Sequence, residues 1–134
     1  MMAATKSRFF LAPIVSLLLL AGCSLFDNEQ SFVMPISHLE TPEVAAQGQA
    51  FDVLIVGDLV DGCQQFDRLD VDASASRVVL TMIGTEPDRP QTCTLEGRSI
   101  ERSHRVVPQR IGSFVVAARQ GETGRLTERV VRVE

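Results

Sequence analysis

Every second residue from Phe51 to Ile55, in "AFDVLIVGDL", is apolar, so Phe51, Val53 and Ile55 fall on one side of an extended backbone. The same alternation returns in "RVVLTMIG", through Val78, Leu80 and Met82, and in "GSFVVAAR", through Phe114 and Val116. Side chains along a strand point to opposite faces in turn, so this pattern buries one face of a sheet and leaves the other to water. From Phe32 onward no apolar period of 3.6 residues runs far enough to make a helix. The C-terminal "RVVRVE" is a further clear run, and weaker ones are "FVMPIS", "FDRLDVD" with Leu69 and Val71 directed inward, and "IERSHRVV". Breakers such as Thr41-Pro42, Gln47-Gly48, Asp61-Gly62, Glu86-Pro87 and Gln120-Gly121 separate about seven strands, a spacing that suits two packed antiparallel sheets. Residues 31–134 are therefore expected to form an all-β sandwich, with an open barrel as the alternative.

The chain has 134 residues, enough for one domain, and its aromatic residues are seven Phe with no Trp or Tyr. Such a core has to be built largely from Val, Leu and Ile. Aromatic platforms for stacking bases or sugars are missing. The net charge is -4 overall, and without the first 22 residues it is 11 Arg against 17 acidic residues, or -6. An acidic domain repels phosphate backbones, so no nucleic acid is expected as a partner.

The N-terminus follows a different logic. "MMAATKSR" carries two positive charges and no acid, and Phe9–Gly22 then form an apolar run of 14 residues containing Pro13. A membrane-spanning helix needs about 20 apolar residues, so the run is read as the h-region of a signal peptide. The stretch closes on Leu20-Ala21-Gly22-Cys23, which resembles the lipobox of bacterial lipoprotein signal peptides. That resemblance implies a diacylglyceryl group on the Cys23 thiol, cleavage just before Cys23 and fatty acylation of the new amino group, such as by palmitate. Ordinary secretory cleavage is the alternative, for which the small-residue pattern fits poorly. Residues 1–22 are then the leader, and residues 23–30 the lipidated Cys and a short linker. Two or more acyl chains hold a protein on a bilayer stably where one does not. Ser24 after the Cys, in place of the Asp that marks inner-membrane retention in enteric-type bacteria, implies the outer membrane facing the periplasm in a diderm cell. In other envelopes the implied place is the outer face of the cell membrane.

The stretches "PEVAAQGQAFDVLIVG" and "RIGSFVVAARQG" resemble immunoglobulin-like or fibronectin-type modules of bacterial envelope proteins, in which a turn Gly precedes an alternating strand. The likeness is one of pattern, extends over nearly all of residues 31–134, and implies a sandwich with a binding or spacer role. It departs from antibody domains in lacking the core Trp and the tyrosine corner, where Phe114 stands without a hydroxyl.

Once Cys23 is acylated, Cys63 and Cys93 remain as an even pair in an oxidising compartment, and a disulfide between them is expected. Both lie in turn-like sequence, "DGCQQ" and "RPQTCTL", so the bridge ties two loops at one end of the sandwich. A redox or zinc pair is the competing reading, but neither Cys belongs to a C-x-x-C and zinc would have to recruit distant His38 and His104.

Five aspartates fall within "DLVDGCQQFDRLDVD", and Asp58, Asp61, Asp70 and Asp72 are weak calcium candidates if loop and strand-end carboxylates converge. The plainer reading sets Asp58 and Asp61 at a turn before Gly62 and turns Asp70 and Asp72 to solvent between Leu69 and Val71. The same carboxylates could be read as a glycosidase pair, without the aromatic platform that sugar binding favours. No nucleophile elbow, phosphate-cradling Gly loop or His-containing metal motif is present. His38 and His104 read as solvated or edge residues, and no catalytic residue or cofactor is assigned.

Charge divides unevenly along the chain. Residues 24–90 hold 12 acidic and 3 basic residues, whereas residues 91–134 hold 5 acidic and 8 basic, all Arg. Pairing of late strands with early ones sets opposite charges across a ladder, which stabilises by about 0.2–1 kcal/mol per favourable pair. Alternatively, Arg98, Arg102, Arg105 and Arg110 form a basic face for anionic lipid or a carboxylate-bearing partner.

Three function classes follow in order of support. The first is a non-catalytic envelope lipoprotein that sits on the membrane through its lipid and binds or positions another envelope protein or polymer. The second is a lipoprotein that binds a small ligand or calcium, and the third is an enzyme acting on an envelope polymer.

Overall fold

The computed structural model describes residues 28–89 and 91–134. The alternating run Phe51–Leu59 is strand β4, and it buries Phe51, Val53, Ile55 and Leu59 while Asp52 faces water. β4 is the middle of a three-stranded sheet, flanked antiparallel by β2 (Ile36–Glu40) and β7 (Arg98–Val106).

The second sheet is organised around β6 (Arg77–Pro87), which turns Val78, Leu80 and Met82 inward and also buries Ile83 on the opposite face. One long edge of β6 pairs antiparallel with β5 (Gln65–Ala73). Its other edge is shared. β8 (Gly112–Gln120) runs parallel to Arg77–Leu80, and β1 (Glu29–Val33) runs antiparallel to Ile83–Pro87. β9 (Arg125–Val133) pairs antiparallel with β8, and the two-residue β3 (Val44–Ala45) lies parallel to the end of β9. The β8–β9 hairpin closes through a 3-10 turn, Gly121–Thr123, and Gly124, whose φ of 71° is a conformation that favours glycine.

The two sheets stack as a β-sandwich, as the alternation predicts, with nine strands among the described residues where about seven are expected. The added strands come from the N-terminal segment. "FVMPIS" is interrupted at Met34-Pro35: the Met34 N–H still donates to the Met82 carbonyl at 2.9 Å, while the Pro35 carbonyl accepts from Asp58 N–H in the other sheet. Proline lacks the donor a continuous ladder needs, so the chain changes sheets there. Glu29 and Gln30, expected in the linker, pair with Pro87 and Glu86 and belong to β1. The parallel β6–β8 and β3–β9 pairings also depart from the expected all-antiparallel ladders, since they join strands distant in sequence.

Between the sheets Met34, Ile55, Leu80, Met82, Val116 and Val131 are fully buried. Phe51 and Phe114 meet edge to face, with ring centroids 6.2 Å apart, at the end of the core remote from Asn28. One inward expectation needs correction: Leu69 packs against the core, but Val71 is 41% exposed. Val71 does point to the interior side, opposite buried Leu80, yet among the described residues β5 is an edge strand with no partner beyond it.

Candidate functional site

Cys63 and Cys93 form the expected disulfide, with Cα atoms 5.4 Å apart, joining the β4–β5 connection to the loop before β7. Local sequence sets up this end. Asp61 Oδ1 accepts from the backbone N–H groups of Cys63 at 2.8 Å and Gln64 at 3.1 Å, the side-chain-to-backbone turn that Asp favours. Buried Gln64 accepts from Val60 N–H and donates to Glu86, whose other oxygen accepts from Gln30. Asp61 and the two sulfurs lie close enough to face one ion, but a disulfide offers no thiolate, and the turn occupies Asp61 Oδ1. The polypeptide enters the domain at this same end, where Asp88 N–H donates to the Asn28 carbonyl at 2.8 Å. Leu20, Ala21, Gly22 and Cys23 lie outside the described residues.

The other aspartates do not converge. Asp58 lies on the outer face of the three-stranded sheet, accepting from Ser37 at 3.2 Å and Ser99 at 2.7 Å. Asp70 and Asp72 lie on the outer face of the other sheet, opposite Thr81 and Val79. Asp70 there bonds Arg68, whose guanidinium pKa is held above its ordinary value by Asp70 first and by Asp67 as well. The four calcium candidates are thus divided among two opposite faces and one end loop.

The four arginines are separated as well. Register sets Arg98, Ile100, Arg102, His104 and Val106 of β7 opposite Leu59, Gly57, Ile55, Val53 and Phe51, so all five point to the inner side of their sheet. Arg105 points outward and pairs with Asp52 at 3.2 Å. Arg110 lies beyond the end of β7 in the following loop. Arg98 donates to the Gln64 carbonyl at 2.8 Å, and the Arg102 guanidinium lies over the Phe66 ring, 4.2 Å from its centroid.

These contacts cross a seam along one side of the sandwich. Among the described residues β5 pairs only with β6 and β7 only with β4, so both nine-residue strands leave an edge without a ladder partner. The β5 wall is apolar, with half-buried Phe66 and Leu69 and exposed Val71. The β7 wall carries two guanidinium groups and half-buried His104. At the end remote from the disulfide the seam opens into a small cavity of about 140 Å³, lined by Ala73, Ser74, His104 and Phe114 among others. His38 is elsewhere, on the outer face of β2 beside Glu40 at 3.2 Å.

Such an arrangement can hold an extended segment: free backbone groups supply a ladder, alternate apolar side chains meet Leu69 and Val71, and carboxylates meet Arg98 or Arg102. Sequence reading misses the seam because it depends on which strands end up at an edge. The parity of Arg98, Arg102 and His104 within one strand is the only local signal for it. No protein-family model, curated protein or solved structure matches this chain.

Proposed function

We propose that the protein is a lipid-anchored envelope lipoprotein whose β-sandwich is a non-catalytic module that binds or positions another envelope component. The observation that carries the binding role is the seam, where two long strands keep unpaired edges on either side of a half-buried apolar strip. Exposed edges usually carry devices against indiscriminate pairing. Here β5 has a register shift between Phe66 and Arg68, and β7 points Arg98 and Arg102 inward. What remains is selective for a partner that brings apolar side chains and a negative charge together. The lipobox-like Leu20-Ala21-Gly22-Cys23 supports the anchor, and the resemblance to immunoglobulin-like envelope modules supports a binding or spacer role.

The test is site-specific photocrosslinking in intact cells, with the reactive group at Val71 in the seam and, for comparison, at Val130 on the outer face of the same six-stranded sheet, away from the seam. A discrete adduct from position 71 and none from 130 is the expected result; equal capture at both, or none, counts against the seam. Labelling with a fatty acid analogue, lost on Cys23→Ala, tests the anchor.

A further inference from the structure

We infer that the disulfide-braced end of the sandwich rests on the bilayer, with Leu95 and Val60 dipping into the headgroup region. This rests on the reading that Cys23 carries the lipid, and adds to it an orientation and a second membrane contact.

The place where the chain enters the domain argues for it. Asn28 is fixed at the disulfide end by its hydrogen bond from Asp88, and Glu29 is registered against Pro87. Four residues lie between Cys23 and Asn28, so the five steps from one to the other span at most about 18 Å when fully extended. A nine-residue strand such as β4 covers about 30 Å. The tether is thus shorter than the sandwich, and the end that holds Asn28 is the end held nearest the lipid.

Among the described residues that end carries the most exposed large apolar side chain, Leu95 at 94%, with Val60 at 62% on the neighbouring loop. The two loops are fastened together by Cys63–Cys93 and by the Gly62 N–H, which donates to the Thr94 carbonyl at 2.9 Å. Apolar side chains fixed on a braced tip lose little further freedom on entering an interface. One Leu and one Val would not bind a membrane from solution. With the domain already tethered they only have to choose among orientations, which needs far less free energy. Acidic residues at this end, including Asp61, Asp88 and Glu96, outnumber Arg89 and Arg98, so the contact is apolar and independent of anionic lipid. The opposite end also exposes an apolar residue, Ile111 at 70%, but the chain does not enter there. In this orientation the cavity beside His104 and the neighbouring part of the seam face away from the membrane, open to a partner.

The chain contains no Trp, so a single introduced indole reports without background. Full-length lipidated Leu95→Trp, Val60→Trp and Ile111→Trp are reconstituted into phosphatidylcholine vesicles containing brominated acyl chains. Quenching of Leu95→Trp and Val60→Trp at least about twofold stronger than that of Ile111→Trp is expected, with a blue-shifted emission. Replacing part of the lipid with phosphatidylglycerol leaves the difference in place. Protein that floats with the vesicles but shows equal quenching at all three positions overturns the orientation and leaves the anchor standing. Protein that carries no lipid and stays in solution overturns both.

Discussion

Gln120 occupies both backbone hydrogen-bonding groups of Ile36: its Oε1 accepts from the Ile36 N–H at 3.1 Å, and its Nε2 donates to the Ile36 carbonyl at 2.8 Å. Gln120 ends β8 in one sheet and Ile36 begins β2 in the other, so a side-chain amide does between sheets what a neighbouring strand does within one. The adjoining turn adds a second tie, as Glu122 accepts from the Val33 N–H at 2.6 Å. Together they hold the hairpin end of β8–β9 against the point where the N-terminal segment changes sheets.

Removing the amide leaves part-buried backbone groups without partners, which costs about 1–3 kcal/mol for each group left unsatisfied. Gln120→Ala is therefore expected to lose about 2 kcal/mol, measured as a lower urea midpoint at unchanged slope. Gln120→Glu keeps the acceptor and loses the donor, and falls between the two. A Gln120→Ala protein as stable as wild type would mean that the clasp follows from the fold without holding it.

The disulfide closes a segment whose ends are 30 residues apart. In the chain-entropy model this amounts to about 3.6 kcal/mol, a sizeable part of the usual 5–15 kcal/mol. Replacing Cys63 and Cys93 together by Ser is expected to lower stability by about 3 kcal/mol in denaturant unfolding. Because the bridge ties end loops rather than core strands, the variant keeps its far-ultraviolet β signature below the transition. Loss of that signature in water would show that the bridge is required for the fold itself.

Much of this architecture is legible from alternation, because β4, β6 and β8 each bury a face whose residues are apolar at every second position. Cys63 and Cys93 are legible too, as the even pair left once Cys23 is set apart. The separation of Arg105 from Arg98 and Arg102 follows from parity as soon as they are given to one strand; treating the arginines as a single face overlooks it. Other features are non-local. Val71 has the inward parity of a core residue and is left exposed because, among the described residues, β5 has no neighbour beyond β6, a fact set by the whole sheet. The crossing at Pro35 and the parallel pairing of β6 with β8 depend likewise on which distant strand completes each edge.

Gly84 shows how closely β1 packs on β6. A Cβ at this position would lie 2.6 Å from Phe32 Cζ and 3.0 Å from the Gln65 carbonyl oxygen. At Gly57 the nearest atoms are Met82 Sδ at 2.8 Å and Met34 Cε at 3.1 Å, the ends of flexible side chains. Overpacking a core typically costs about 1–3 kcal/mol, so Gly84→Ala is expected near the upper part of that range and Gly57→Ala near the lower. Phe32→Leu combined with Gly84→Ala should recover part of the loss, read as a positive coupling in a double-mutant cycle of unfolding free energies. Additive losses would place the strain at the Gln65 backbone instead.

Arg102 and Arg105 sit three residues apart on β7 and are predicted to differ in what they contribute. Arg105 pairs with Asp52 on the outer face, where both side chains are mostly exposed, and exposed pairs of this kind contribute about 0–1 kcal/mol. Arg102 reaches across the seam and lays its guanidinium over the Phe66 ring. Cation–π contacts contribute about 0.5–2 kcal/mol, more as they are shielded from water. Arg102→Ala is accordingly expected to destabilise by about 1 kcal/mol and Arg105→Ala by less than about half of that, by urea denaturation in one buffer. Arg102→Lys keeps charge and stem but loses the planar stacking, so it falls between Arg102→Ala and wild type. Equal losses at the two positions would show that Arg102 is held over Phe66 without stabilising the seam, leaving its guanidinium free to turn toward a partner's carboxylate.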